Sequence, residues 1–85
     1  MLFFERKYYE AFISIGFMNS IGIPPILIKR IKTTNTLTLI FDNVGIALIN
    51  WENRKNEIES ILNISIASIS IGENNRQIVV KAGYW

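Results

Sequence analysis

Residues 42–63, DNVGIALINWENRKNEIESILN, decide how this chain is read. They hold a lone glycine, Gly45, then a short apolar run, then Trp51 at the start of a charged stretch with helical spacing. Gly45 either opens a phosphate-binding loop or eases the passage from a strand into a helix. A phosphate loop needs several glycines, usually with a Lys and a Ser or Thr, so that backbone N–H groups converge on the anion. NVGIAL offers one glycine and no lysine. The stretch therefore reads as a strand-to-helix turn, with Gly45 supplying the backbone freedom.

Downstream of the turn, Trp51, Ile58, Ile61 and Leu62 fall on one side of a helix over 51–62, flanked by the stems of Arg54 and Lys55. Glu52, Asn56 and Glu59 lie opposite, and Lys55 with Glu59 forms an i,i+4 pair worth a few tenths of a kcal/mol. Asn50 is the expected N-cap and Asn63 the expected left-handed residue that ends the helix. Upstream, ILIKRIKTT and TLTLIFDN read as two strands joined by a turn around Asn35, with Leu37, Leu39 and Phe41 on the buried side. After the helix, SIASISI and QIVVKAGYW read as two more strands across the polar turn GENNR. Ala67, Ile69 and Ile71 are expected on one face of the first, and Ile78 and Val80 on one face of the second.

Working outward to the N-terminus, residues 3–18 read as a helix. Phe4, Tyr8, Ala11, Phe12 and Ile15 form one stripe, while Phe3, Ile13, Phe17 and Met18 lie off it. A helix apolar on more than one side is expected to serve its own core and a partner, so Phe3, Ile13 and Phe17 are the candidate partner contacts. Gly22 and Pro24–Pro25 stop the helix. The stretch 11–28 carries no charge over 18 positions, near the length of a membrane span. The prolines, glycines and Asn19 favour a helix plus linker instead. The expected architecture is α+β in a single domain, 1–85. A helix occupies 1–20 and a linker 21–25, and a ββαββ unit over 26–85 forms a four-stranded sheet with a helix on one face.

Composition removes most catalytic chemistry. The 85 residues include no Cys and no His, which excludes thiol nucleophiles, disulfides, Cys/His zinc sites and histidine acid–base catalysis. Glu57 and Glu59, two apart on a helix, do not face each other, and Asp42 sits at a strand end as a turn former. No catalytic residue, metal site or cofactor is expected. Net charge is +2, a mild basic excess. Lys29, Arg30 and Lys32 lie on the first strand and Arg76 and Lys81 on or near the last. If those strands were neighbours the five would form a patch able to touch a DNA backbone; otherwise they guard an edge. Tyr84 and Trp85 read as a packed tail.

The chain from Ile15 onward resembles the segment that precedes the ATPase core in FtsK/SpoIIIE-type DNA translocases, above all those of mobile and conjugative elements of low-GC Gram-positive bacteria. The echoed features are the helix ending in "IG", Pro25–Lys29 as P-x-L-I-K, and the T-L-x-F strand. They continue with the G-I-x-L-x-x-W turn into a helix and the closing I-V-V-K strand. The resemblance implies a ββαββ accessory domain that packs on a motor ring and helps shape its DNA channel. Its implied partners are the ATPase core of the same or a neighbouring chain and the DNA backbone; a second copy of the chain is expected from the off-stripe apolar residues of the first helix. The resemblance also implies a cytoplasmic location, and leaves a membrane-associated parent open. The Walker A and Walker B segments of that family are missing here, so no catalytic residue carries over. Two further readings stay open: a protein-interaction module built on the N-terminal helix, and an independent, weak nucleic-acid-binding domain.

Overall fold

A computed structural model describes residues 3–83, with side chains from Arg6 onward. The side chains of Phe3 and Phe4, and the terminal Tyr84 and Trp85, lie outside the described residues. The elements run α1 (Phe3–Ser14), β1 (Ile26–Lys32), β2 (Thr36–Asp42), α2 (Leu48–Asn53), α3 (Lys55–Leu62), β3 (Ser65–Ile71) and β4 (Gln77–Gly83). The four strands form one antiparallel sheet in the order β1-β2-β4-β3. The fold is the expected α+β arrangement.

Alternation places the sheet's apolar residues on one face. Leu37, Leu39 and Phe41 of β2 stand opposite Ala82, Val80 and Ile78 of β4, and all six are buried. Tyr8 and Phe12 of α1, Trp51 of α2, and Ile58 and Leu62 of α3 join Leu37, Leu39, Phe41, Ile78 and Val80 in one cluster. All the helices therefore cover the same face, and the opposite face of the sheet is open. Trp51 is the hub. Its ring stands 5.0 Å from Phe17, 5.5 Å from Phe41 and 5.7 Å from Phe12, two of the three contacts edge to face. Such pairs add about 0.5–1.5 kcal/mol each beyond the area they bury.

Three sequence expectations need correction. First, α1 ends at Ser14, not residue 18. Gly16 takes φ +69°, its N–H donates to the Ile13 carbonyl (3.0 Å), and the N–H of Phe17 donates to the Phe12 carbonyl (2.9 Å). This is a Schellman turn, completed by apolar contact between the two residues it joins: the rings of Phe12 and Phe17 are 5.6 Å apart. The turn folds Phe17 back into the core, 3% exposed, so Phe17 is not the partner contact its off-stripe position implied. Second, the single helix over 51–62 is two helices meeting at Arg54 (φ −105°, ψ 14°), and α2 already begins at Leu48. Asn50 lies inside α2 rather than capping it, because Ala47, extended at φ −65° and ψ 151°, already stands at the N-cap position and the helix begins with the next residue. Third, a bulge between Ile66 and Ser68 shifts the phase of β3. Ile66 is the buried residue of that strand, Ala67 is exposed, and Ile71 remains 48% exposed at the edge.

The helix end at Asn63 follows the expected form, with φ 56° and ψ 48° and the N–H of Ile64 reaching back to the Glu59 carbonyl (3.2 Å). Glu59 turns its carboxylate to the backbone N–H of Ile66 (2.7 Å). The ion pair on this helix joins Arg54 to Glu57, 2.8 Å.

Candidate nucleic-acid interface

The turn at Gly45 settles what this region can bind. The N–H of Val44 donates to Asp42 Oδ1 (2.9 Å), that of Gly45 to Asn43 Oδ1 (2.9 Å), and that of Ile46 to the Asn43 carbonyl (2.8 Å). Three successive donors are spent inside the turn, so none is left to cradle a phosphate. Asn43 is itself buried and donates its side-chain amide to the Asn75 carbonyl (2.8 Å), tying the turn to the β3–β4 hairpin. Asn19 donates to the Val44 carbonyl (3.0 Å) and accepts from the N–H groups of Ile21 and Ile23. Gly45 adopts φ +87° with open space around it, while Val44, a β-branched residue, is held at φ +47°.

A groove of about 500 Å³ runs between this turn, residues 17–21 and α2. Of its lining residues only Arg54 is charged. The Arg54 guanidinium is occupied by Glu57 and by the carbonyl of Ile15, and it lies over the ring of Phe17, 5.3 Å from its centre. Its hydrogen bonds, chiefly, hold the exposed Glu57 carboxyl below the ordinary carboxylate range. Among the described residues no group of three or more Asp, Glu, His or Cys is placed to hold a metal ion.

The five basic residues do not form one patch, because β2 separates β1 from β4. Register assigns each a face. Lys29 lies opposite Ile40, which faces Val79, and Lys81 lies opposite Thr38 and Ser68. Cross-strand partners share a face. Lys29 and Lys81 thus stand on the open side, two strands and two residues apart, about 12 Å by strand spacing and rise. Arg30 and Lys32 lie opposite Leu39 and Leu37 instead, on the helix side at the sheet's rim, near Lys7, Tyr8 and Leu62. The bulge between Leu27 and Lys29 sets this division. Arg76 lies in the β3–β4 hairpin with its guanidinium 3.7 Å from Asp42. On α1, Ile13 is 43% exposed. No helix among the described residues is long and apolar enough to cross a membrane.

No protein-family model matches the sequence, and no curated protein matches it significantly. A solved structure does: the pCW3 conjugation coupling protein TcpA, in its monomer form with ATPγS. The two folds superpose with a TM-score of 0.86 at 26% sequence identity, over 94% of this chain and 23% of that one. The chain therefore spans about a quarter of the length of the protein it matches. Across nearly its whole length it is similar to a segment of a conjugation coupling protein of the FtsK/SpoIIIE type.

Proposed function

We propose that this chain is a non-catalytic accessory domain of an FtsK/SpoIIIE-like DNA translocase that acts in conjugation. It would position the motor subunits and touch the DNA backbone from the cytoplasmic side. The observation that carries this reading is the match to TcpA over 94% of the chain, at an identity above what fold alone requires. The non-catalytic role draws support from the Gly45 turn, whose N–H groups are spent internally, and from a sequence without a Walker A segment. ATP hydrolysis belongs, on this reading, to the remainder of the motor.

DNA contact falls to the open sheet face, where Lys29 and Lys81 stand among the hydroxyls of Thr38, Ser68 and Ser70. Arg30 and Lys32 at the rim are left to a neighbouring subunit. Arg76, close to Asp42, contributes least. A second reading, a protein-interaction module on α1, rests on the exposure of Ile13 and predicts binding with no nucleic acid present.

The test is addition of this chain to a TcpA core lacking the matched segment, read as DNA-stimulated ATP hydrolysis. Restoration of DNA stimulation supports the reading. A core that binds the chain yet gains no response to DNA favours the interaction module.

A further inference from the structure

The two edges of the sheet are built differently. The β1 edge follows Pro24–Pro25 and carries Lys29, Arg30 and Lys32. Residues 63–72, NISIASISIG, which include the whole β3 edge, hold no charge and no proline. Charge and proline are the usual means of stopping an edge strand from pairing with another chain. One edge has them and the other does not.

The N-terminal part of β3 is closed in another way, since the N–H of Ile66 is taken by Glu59 and the bulge follows at once. Ser68–Ile71 then runs in unbroken register with Lys81–Ile78. Two bonds fix which way its backbone groups point. The N–H of Gly72 donates to the Gln77 carbonyl (2.9 Å), and on the other side of β4 the N–H of Asn43 donates to the Arg76 carbonyl (2.9 Å). Antiparallel pairs alternate between bonded and non-bonded, so both bonds give the same phase: Val79 and Lys81 bond to β3, Ile78 and Val80 to β2. Ile69 and Ile71, opposite Val80 and Ile78, therefore turn their N–H and C=O groups outward.

We propose that this edge pairs antiparallel with the same edge of a second copy, about a two-fold axis at Ser70, with Ile69 of each copy opposite Ile71 of the other. In that register the outward groups of Ile69 and Ile71 meet each other. Isoleucines pair on the helix side, serines pair on the open side, and no like charges are opposed. A near-symmetric Ile/Ser alternation is what self-pairing requires. The contact closes on itself and leaves the lysine-bearing β1 edges at both ends of an eight-stranded sheet, so it does not propagate. The contact follows from the edge alone and does not depend on the translocase reading.

The chain has no cysteine, so a single Ser70→Cys gives a clean probe. A non-bonded antiparallel pair brings Cα atoms to about 4.5 Å, within disulfide range. Under mild oxidation Ser70→Cys should give a covalent dimer, at least about tenfold faster than Ile31→Cys on the guarded edge, because pairing raises the local thiol concentration. Sedimentation of the unaltered chain should show dimer at about 500 µM, the weak range proper to so small a contact. Ile71→Lys should give a monomer with unchanged circular dichroism, and Ile13→Glu should leave the dimer intact. A strictly monomeric parent at that concentration would overturn the proposal. So would crosslinking at Ser70 no faster than at Ile31, or a dimer lost through Ile13→Glu.

Discussion

The side-chain amide of Asn19 donates to the carbonyl of Val44, 3.0 Å away and 25 residues on. The same side chain accepts from the N–H groups of Ile21 and Ile23, so one residue holds the α1–β1 linker to the β2–α2 turn. Asn19→Ala removes all three bonds and leaves the partly buried Val44 carbonyl without this donor, while the N–H groups of Ile21 and Ile23 are exposed to water. The expected loss is about 1–3 kcal/mol, read as a lower urea midpoint at unchanged slope. An unchanged midpoint would mean that water replaces the amide at no cost.

Trp51 is fully buried among Phe12, Phe17 and Phe41, and its indole N–H has no hydrogen-bond partner among the described residues. Trp51→Ala should cost about 3–5 kcal/mol, enough to unfold a domain of this size. Trp51→Phe keeps an aromatic ring and removes the unpaired donor, so it should cost far less than the alanine change. Thermal melts of the two variants separate packing from polarity. Equal losses would show that ring shape alone sets the contribution.

The Arg54–Glu57 pair gives a small pH dependence of known sign. Arg54 hydrogen bonds lower the Glu57 carboxyl below its ordinary value, so the folded state favours the ionised form. The resulting stability is present above the ordinary carboxylate range and fades as pH falls through the lowered value. Because Glu57 is exposed, the effect is weak and screened by salt. Glu57→Gln should therefore lower the melting temperature slightly at pH 7 and not at pH 2, where both chains carry a neutral side chain. A larger deficit at low pH would contradict the assignment.

Contact with DNA through Lys29 and Lys81 alone allows about two phosphate contacts, so the slope of log K against log salt should be no steeper than roughly −2. Exchange of both lysines for serine should abolish duplex binding, and exchange of Arg30 and Lys32 should leave it within about twofold. Fluorescence anisotropy over a salt series measures both. Binding lost through Arg30 and Lys32 instead would move the interface to the helix side of the sheet.

The sheet, its central strands and the Trp51 anchor were legible because strong alternation and helical spacing survive into the fold. What escaped was local. The bulge at Ala67 changes the phase of β3 without any glycine or proline to announce it, and the turn before α2 overrides the capping preference of Asn50. Phe17 had a readable signal: glycine followed by an aromatic, five residues after Phe12, is the pattern of a Schellman end with its apolar clasp. The basic residues were legible as a group, but their division between two faces depends on the strand order and on the bulge beside Ile28, neither of which composition reports.

If this chain is an accessory domain of a conjugative DNA motor, it should function in place of the segment it resembles. The most direct test is a TcpA chimera in which residues 1–85 replace the matched segment, assayed for conjugative transfer of pCW3 alongside a deletion of that segment. The deletion should abolish transfer, and the chimera should restore it to near the level of the parent. A chimera that folds and binds ATP but transfers no better than the deletion would contradict it.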